Sequence, residues 1–149
     1  TVSTITRLID IGVPSYLIGS ALSGILAQRL VRKICNKCKI ETKPPVSLMN
    51  TLRPLERCYY GVGCPQCFYT GYYGQIGVFE FLKIDIKLKR LIARNATEED
   101  IWDIAKESGI VTLFDDAWNK INDGVTTIDE VLSKVPTMHN GKNPSDKAV

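Results

Sequence analysis

Four cysteines carry the densest chemistry in this chain. They stand as Cys35-Asn36-Lys37-Cys38 and Cys64-Pro65-Gln66-Cys67, two CxxC pairs separated by 25 residues. Each CxxC brings two thiols together on one tight turn. Two such turns facing each other offer four soft sulfur ligands in a tetrahedron, the arrangement Zn²⁺ takes in closed structural sites. One Zn²⁺ held by Cys35, Cys38, Cys64 and Cys67, with no open position and no catalysis at the metal, is the expected occupant. Lys37 and Lys39 place cations beside four thiolates, and Pro65 stiffens the second turn. Two disulfides would require an oxidising compartment, and no export signal is read here. A redox dithiol belongs on a strand-to-helix turn, whereas these pairs lie in Gly, Lys and Pro-rich loop sequence. Cys58, beside Tyr59 and Tyr60, falls outside the paired spacing. It is expected as a buried or half-exposed free thiol, with ligand substitution the alternative.

No catalytic constellation and no nucleotide-binding residue accompanies the cysteines. The single histidine, His139, lies in a polar C-terminal stretch, so nucleophile pairs that need an imidazole base have none. The one Gly-Lys pair, Gly141-Lys142, lacks the remainder of a phosphate-binding loop. Asp115 and Asp116 are expected on a solvated helix face. These 149 residues alone are therefore expected to bind nucleotide weakly or not at all and to hydrolyse no ATP.

The net charge of +3 conceals a division. Residues 29–57 hold eight basic side chains against Glu41 and Glu56, a local +6. Residues 96–135 hold ten acidic side chains against Lys106, Lys120 and Lys134, a local −7. The two regions are expected to attract each other or to face different partners. Gly, Ser, Gln and Arg interrupt every long apolar run, so no membrane span is expected. Cysteines spaced for metal point to a reducing, cytosolic setting. A chain of this size buries one ordinary core or two small ones.

The elements that position the cysteines read as follows. Ile5, Leu8 and Ile9 mark a helix over 3–11, capped by Ser3 or Thr4 and stopped by Gly12. Tyr16 to Leu22 forms a second apolar segment kept slim by Gly19 and Ser20. Ile25 to Ile34 is nearly continuously apolar and predicts a strand buried in a larger sheet. Because residues 1–34 cannot close a core, either later strands supply the sheet they need or, as the opening directly on a helix favours, the chain begins inside a larger domain. Residues 40–57 form the loop between the cysteine pairs, stiffened by Pro44, Pro45 and Pro54, with a short helix from Ser47 to about Arg53. Closing such a loop costs on the order of 3 kcal/mol. Structural zinc supplies roughly 10–16 kcal/mol in finger peptides, so metal alone can order residues 35–67. Gln75 to Leu82 predicts a strand with Ile76, Val78 and Glu80 on one face and Phe79 and Phe81 on the other. Asp85, Thr97 with Asp100, Thr112 with Asp115, and Thr127 with Glu130 each open a helix.

Specific segments carry a family resemblance. Arg7-Leu-Ile-Asp-Ile-Gly-Val13, Tyr16-Leu17 and Ala27-Gln-Arg-Leu-Val-Arg32 lead into Cys35-x-x-Cys38. The pattern continues through Cys64-x-x-Cys67, Thr70-Gly71-Tyr72-x-Gly74-x-x-Gly77-Val78-x-Glu80, Leu91-Ile92 and Gly124-Val-Thr-Thr-Ile-Asp-Glu-Val-Leu132. Over about residues 4–133 this resembles the ATPases of type II secretion and type IV pilus assembly, of the GspE, PulE and PilB types. That family usually carries Arg where this chain has Gln75. The resemblance implies a mixed α/β fragment from the C-terminal part of a hexameric, RecA-like motor. Residues 1–34 would end the RecA-like core. Residues 35–80 would form the tetracysteine zinc-binding domain and its return strand, 81–135 the C-terminal helices, and 136–149 a disordered tail. ATP and Mg²⁺ would serve only the full-length parent, whose catalytic motifs lie upstream of the matched region. The implied partners are neighbouring subunits of a homo-hexamer and an inner-membrane platform protein. The implied location is cytoplasmic, peripheral at the inner membrane.

Two further classes compete. A nucleic-acid-binding zinc ribbon fits the basic stretch and its tyrosines, but the −7 region opposes a polyanion and Ile25–Ile34 is no groove-reading helix. A redox or metal-trafficking protein fits only the thiols.

Overall fold

A computed structural model describes residues 1–44, 55 and 57–136. The expected helix at 47–53, with Leu48, Met49 and Leu52, and the expected tail with His139 lie outside the described residues. The described chain falls into two compact units, each assembled from two sequence segments. One holds 1–28 and 79–112. The other holds 29–78 and the chain from 113 onward.

The first unit is built on helices α1 (Val2–Asp10), α2 (Ser15–Ala21), α3 (Ile86–Ala93) and α4 (Glu98–Glu107). Val2 and Ile5 of α1, Ile18 of α2, Leu88 and Ile92 of α3, and Ile101, Trp102 and Ala105 of α4 form one buried cluster. Full burial of each large aliphatic side chain contributes about 1.5–3 kcal/mol. Gly19 makes the α2–α3 contact possible: a Cβ there would lie 2.8 Å from the Lys89 carbonyl oxygen. Two of the anticipated caps are present here. Asp85 accepts from the Leu88 N–H at 2.8 Å. Thr97 and Asp100 bond reciprocally, at 3.2 Å and 3.0 Å. At α1 the expectation needs correction. The helix begins at Val2, Thr1 is its N-cap, and no side-chain cap bond forms. The Thr1 hydroxyl instead donates to the fully buried Glu80 at 2.5 Å.

Two strands run through both segments of the fold, β1 (Gly24–Ile34) and β4 (Tyr72–Lys83), and they pair in a two-stranded sheet. The alternation expected in β4 is present, with Val78, Glu80 and Leu82 buried and Phe79 and Phe81 exposed. The continuous burial expected of β1 is not. Leu26 and Leu30 are 60% and 52% exposed, on a face left open among the described residues.

The second unit contains β2 (Lys39–Thr42), β3 (Cys58–Gly61), α5 (Leu113–Asn122) and α6 (Ile128–Lys134). Strands β2 and β3 are antiparallel, with Ile40 opposite Tyr60 and Thr42 opposite Cys58. They close the two ends of the inter-cysteine loop into a ladder that the sequence reading treated as loop. On α5 and α6, Ala117, Trp118, Ile121, Ile128 and Val131 are buried as expected, whereas Leu132 is 37% exposed. Asp116 is not solvated as expected: it is largely buried and pairs with Lys120 at 2.5 Å, one turn on.

Candidate metal centre

The first CxxC turn follows β1 directly, and its Cys38 N–H donates to the Cys35 carbonyl at 3.2 Å. The second turn is a short 3-10 helix, Pro65–Cys67, closed by the Cys67 N–H on the Cys64 carbonyl at 3.1 Å. Both turns are anchored from outside. The Cys35 N–H donates to the Gly71 carbonyl at 2.9 Å, and the Val62 N–H to the Cys38 carbonyl at 3.1 Å. Gly61 and Gly71 allow this crossing. A Cβ on either would fall inside the other's backbone, against its carbonyl oxygen.

The turns bring all four predicted sulfurs together. Cys35 Sγ lies 3.8 Å from Cys64 Sγ, Cys38 Sγ 3.8 Å from Cys67 Sγ, and Cys64 Sγ 3.7 Å from Cys67 Sγ. All four lie within 4.8 Å of one another. Four sulfurs at about 2.3 Å from a tetrahedral Zn²⁺ stand about 3.8 Å apart. The set therefore fits such an ion, and the four cysteines are positioned to hold a metal. None is in a disulfide. Cys35, Cys38 and Cys67 are buried and Cys64 is half-buried, which closes the site to solvent as a structural centre requires.

The thiols are not equivalent. Burial pushes Cys67 up, but the N–H groups of Cys64 and Gly71 and the thiols of Cys64 and Cys38 outweigh it, bringing Cys67 down to about 6. The Cys64 N–H reaches Cys67 Sγ at 3.2 Å. Cys38 goes the other way, driven by burial to about 12 despite the Gly63 N–H. One ready thiolate next to a reluctant thiol means that metal uptake must release protons. Cys58 lies apart from the four, as a buried free thiol on β3 that donates to the Thr42 carbonyl at 3.5 Å. Burial and the Asp129 carboxylate raise its pKa.

A polar clasp, missed in the sequence, joins β1 and β4 to α6. Glu130 is 2% exposed and accepts from Arg32 Nε at 2.8 Å, Nη2 at 2.5 Å and the Arg32 backbone N–H at 3.1 Å. The guanidinium also lies 4.0 Å over the Tyr72 ring. The Tyr72 hydroxyl meets Thr127 Oγ1 at 2.7 Å, and the Thr126 hydroxyl donates to the Arg32 carbonyl at 2.8 Å. Thr127 caps α6 as predicted, accepting from the Glu130 N–H at 3.1 Å. The only legible signal for the clasp was a Glu at the third position after that cap. Its partner is 98 residues away.

Burial pushes the Glu130 carboxyl up, but the Arg32 side chain and N–H more than offset this and hold it below its usual value. A carboxylate depressed in the folded state adds stability above the unfolded carboxylate range and loses it as pH falls through the folded value. Removing Arg32 strands Glu130 in a buried site. With allowance for the half-exposed guanidinium, Arg32→Leu should destabilise the unit by about 2 kcal/mol, and Arg32→Leu/Glu130→Leu by less than the sum of the two single changes. Denaturant unfolding of the four variants in a double-mutant cycle checks this.

The sequence as a whole agrees with known proteins. A family described as "Type II/IV secretion system protein" matches residues 1–133. The chain is 38% identical over 136 residues to "Type IV pilus assembly ATPase PilB" of Thermus thermophilus, covering 87% of this chain and 15% of that protein. It is 39% identical over 140 residues to "Type IV pilus assembly ATPase TfpB" of Acinetobacter baylyi, covering 90% and 24%. With "Type II secretion system ATPase E" of Vibrio cholerae it shares 37% over 140 residues, covering 88% and 27%. The chain thus spans about a quarter or less of the length of these relatives. No helix among the described residues is long and apolar enough to cross a membrane. Tetracysteine, strand and helix motifs thus occur together across nearly the whole of a chain that belongs to the type II/IV secretion system protein family.

Proposed function

We propose that this chain is the C-terminal, zinc-binding portion of a secretion or pilus-assembly motor ATPase. The observation that carries the reading is the convergence of Cys35, Cys38, Cys64 and Cys67 in a chain matched to that family from residue 1 to 133. Zn²⁺ acts structurally, fixing two turns and the β2–β3 ladder between them. Residues 1–34 end a RecA-like core whose ATP and Mg²⁺ chemistry is supplied by the full-length parent. The tetracysteine domain then serves as a docking and subunit-contact element, within a homo-hexamer and toward an inner-membrane platform protein, on the cytoplasmic side.

The basic side chains around the first turn support the docking part. Lys37 and Lys43 are exposed and have no ion-pair partner among the described residues. Exposed charges contribute mainly to orientation and encounter rate, since each pair is worth about 0–1 kcal/mol. Lys39 is better left alone, because it lies 4.3 Å over the Tyr59 ring. Lys37→Glu/Lys43→Glu in the full-length parent should leave zinc content and ATP turnover of the isolated motor intact while reducing secretion or pilus assembly in the cell. Full activity in the cell would show that the domain only caps the ATPase core.

A further inference from the structure

The second cysteine turn ends in two aromatic residues that contribute little to their own unit. Phe68 and Tyr69 are 84% and 74% exposed. Both adopt left-handed backbone, with φ of 51° and 61°. That conformation is strained for an L-residue, and glycine would adopt it freely. The hydrogen bonds of the turn, Phe68 N–H to the Pro65 carbonyl at 3.2 Å and Tyr69 N–H to the Cys64 carbonyl at 2.9 Å, use only backbone. Neither ring stacks on another ring, and the Tyr69 hydroxyl has no hydrogen-bond partner, among the described residues. Strain and hydration therefore both weigh against these side chains, and no partner among the described residues offsets them.

Their surroundings identify what would. The 61–63 backbone runs beside them, since a Cβ on Gly63 would lie 2.8 Å from the Tyr69 carbonyl oxygen. Val62, next to Gly63 in the chain, is 58% exposed. Residues 58–78 contain no charged side chain. Across the metal centre, the facing turn presents the exposed Lys37. From that turn β2 continues into the exposed Lys43, while the Glu41 carboxylate on the same strand lies 4.0 Å from Arg57. An apolar-aromatic tip that protrudes, free of carboxylates and accompanied by cations, matches the boundary of a bilayer with anionic headgroups. Aromatic rings favour the headgroup level, and Lys or Arg near such a surface is attracted to its anionic headgroups. A peptide or a nucleic-acid strand would call for a groove, not a protruding pair of rings.

We propose that Val62, Phe68 and Tyr69 form a membrane-contact tip that inserts into the headgroup region of an anionic bilayer, with Lys37 and its basic neighbours on the lipid phosphates. The zinc-loaded full chain is mixed with vesicles of phosphatidylcholine alone and of equal parts phosphatidylcholine and phosphatidylglycerol, then separated by flotation. Binding to the anionic vesicles should exceed binding to the neutral ones by at least about tenfold and should weaken with salt. Phe68→Gly/Tyr69→Gly should remove at least about tenfold of that binding while zinc content stays the same and thermal stability stays equal or rises, because glycine suits both positions. Should that pair lose zinc, Phe68→Asn/Tyr69→Asn takes its place, as Asn also tolerates the left-handed region. A Phe68→Trp probe should shift its emission to the blue on anionic vesicles. The proposal is overturned if anionic vesicles fail to bind, if the glycine or asparagine pair binds them like the parent, or if the probe does not shift. It is equally overturned if an acidic peptide or a single-stranded oligonucleotide, and not the vesicles, is what the tip retains.

Discussion

Cys67→Ser should abolish binding of the proposed zinc and unfold the turns and the ladder that surround it. Cys67 is buried, sits about 6 in pKa, and touches both Cys38 and Cys64 through sulfur. A serine hydroxyl is harder and does not ionise at neutral pH, so three sulfurs remain for an ion that needs four ligands. Structural zinc contributes about 10–16 kcal/mol to its own peptide at pH 7. A whole domain is stable by about 5–15 kcal/mol, so loss of the ion is comparable to the entire reserve. Backbone amides over 29–78 should lose their exchange protection. Those of α1 to α4 should keep theirs, because the apolar cluster beneath those helices contains no cysteine. Cys58→Ser, at a thiol outside the cluster, should retain one zinc per chain. Metal analysis and hydrogen exchange read both results, and full zinc content in Cys67→Ser would refute the assignment. Acidification should also release the ion, since ligand thiols must be deprotonated to bind it.

The second large effect needs no change to a ligand. Gly61→Ala or Gly71→Ala pushes apart the two backbone segments that cross beside the metal centre. The Gly71 carbonyl also receives the Cys35 N–H at 2.9 Å, so separation moves the first cysteine turn directly. Rigid backbone, not a flexible side chain, meets the new methyl. A cost of about 3 kcal/mol follows from overpacking of this kind, or on the order of 100-fold in zinc affinity. Gly71, at φ +77°, adds the strain of a left-handed alanine. Gly74→Ala is the matched control. Its φ is also +77°, but nothing lies within 4 Å of the new atom. It should weaken zinc less than about tenfold. Competition with a chromophoric chelator measures all three, and equal affinities would disprove the crossing.

What could be read from the sequence was what is local. The caps at Asp85, Thr97 and Thr127 depend on residues three apart, and their side-chain bonds are formed. The four ligands were readable because CxxC spacing fixes turn geometry without help from the rest of the fold. The β2–β3 ladder was not, since Lys39–Thr42 and Cys58–Gly61 are only four residues each and pair across the whole inter-cysteine loop. Glu130 was read only as part of the helix start at Thr127, because nothing near it in sequence shows its partner, Arg32. The apolar run at Ile25–Ile34 gave strand correctly and burial incorrectly: hydrophobicity reports a preference for cover, and Leu26 and Leu30 lack it among the described residues.

Translation gives the clasp a place in time. Every cysteine ligand, from Cys35 to Cys67, leaves the ribosome before Thr126, Thr127 and Glu130 are joined to the chain. A nascent chain can therefore take up its ion while Arg32 still lacks a carboxylate partner. A bound ion would set the two cysteine turns first, and α6 would then arrive on an Arg32 and Tyr72 already in place. A chain that stalls before Thr126 would carry metal yet display an unclaimed arginine, a mark by which an unfinished product differs from a finished one.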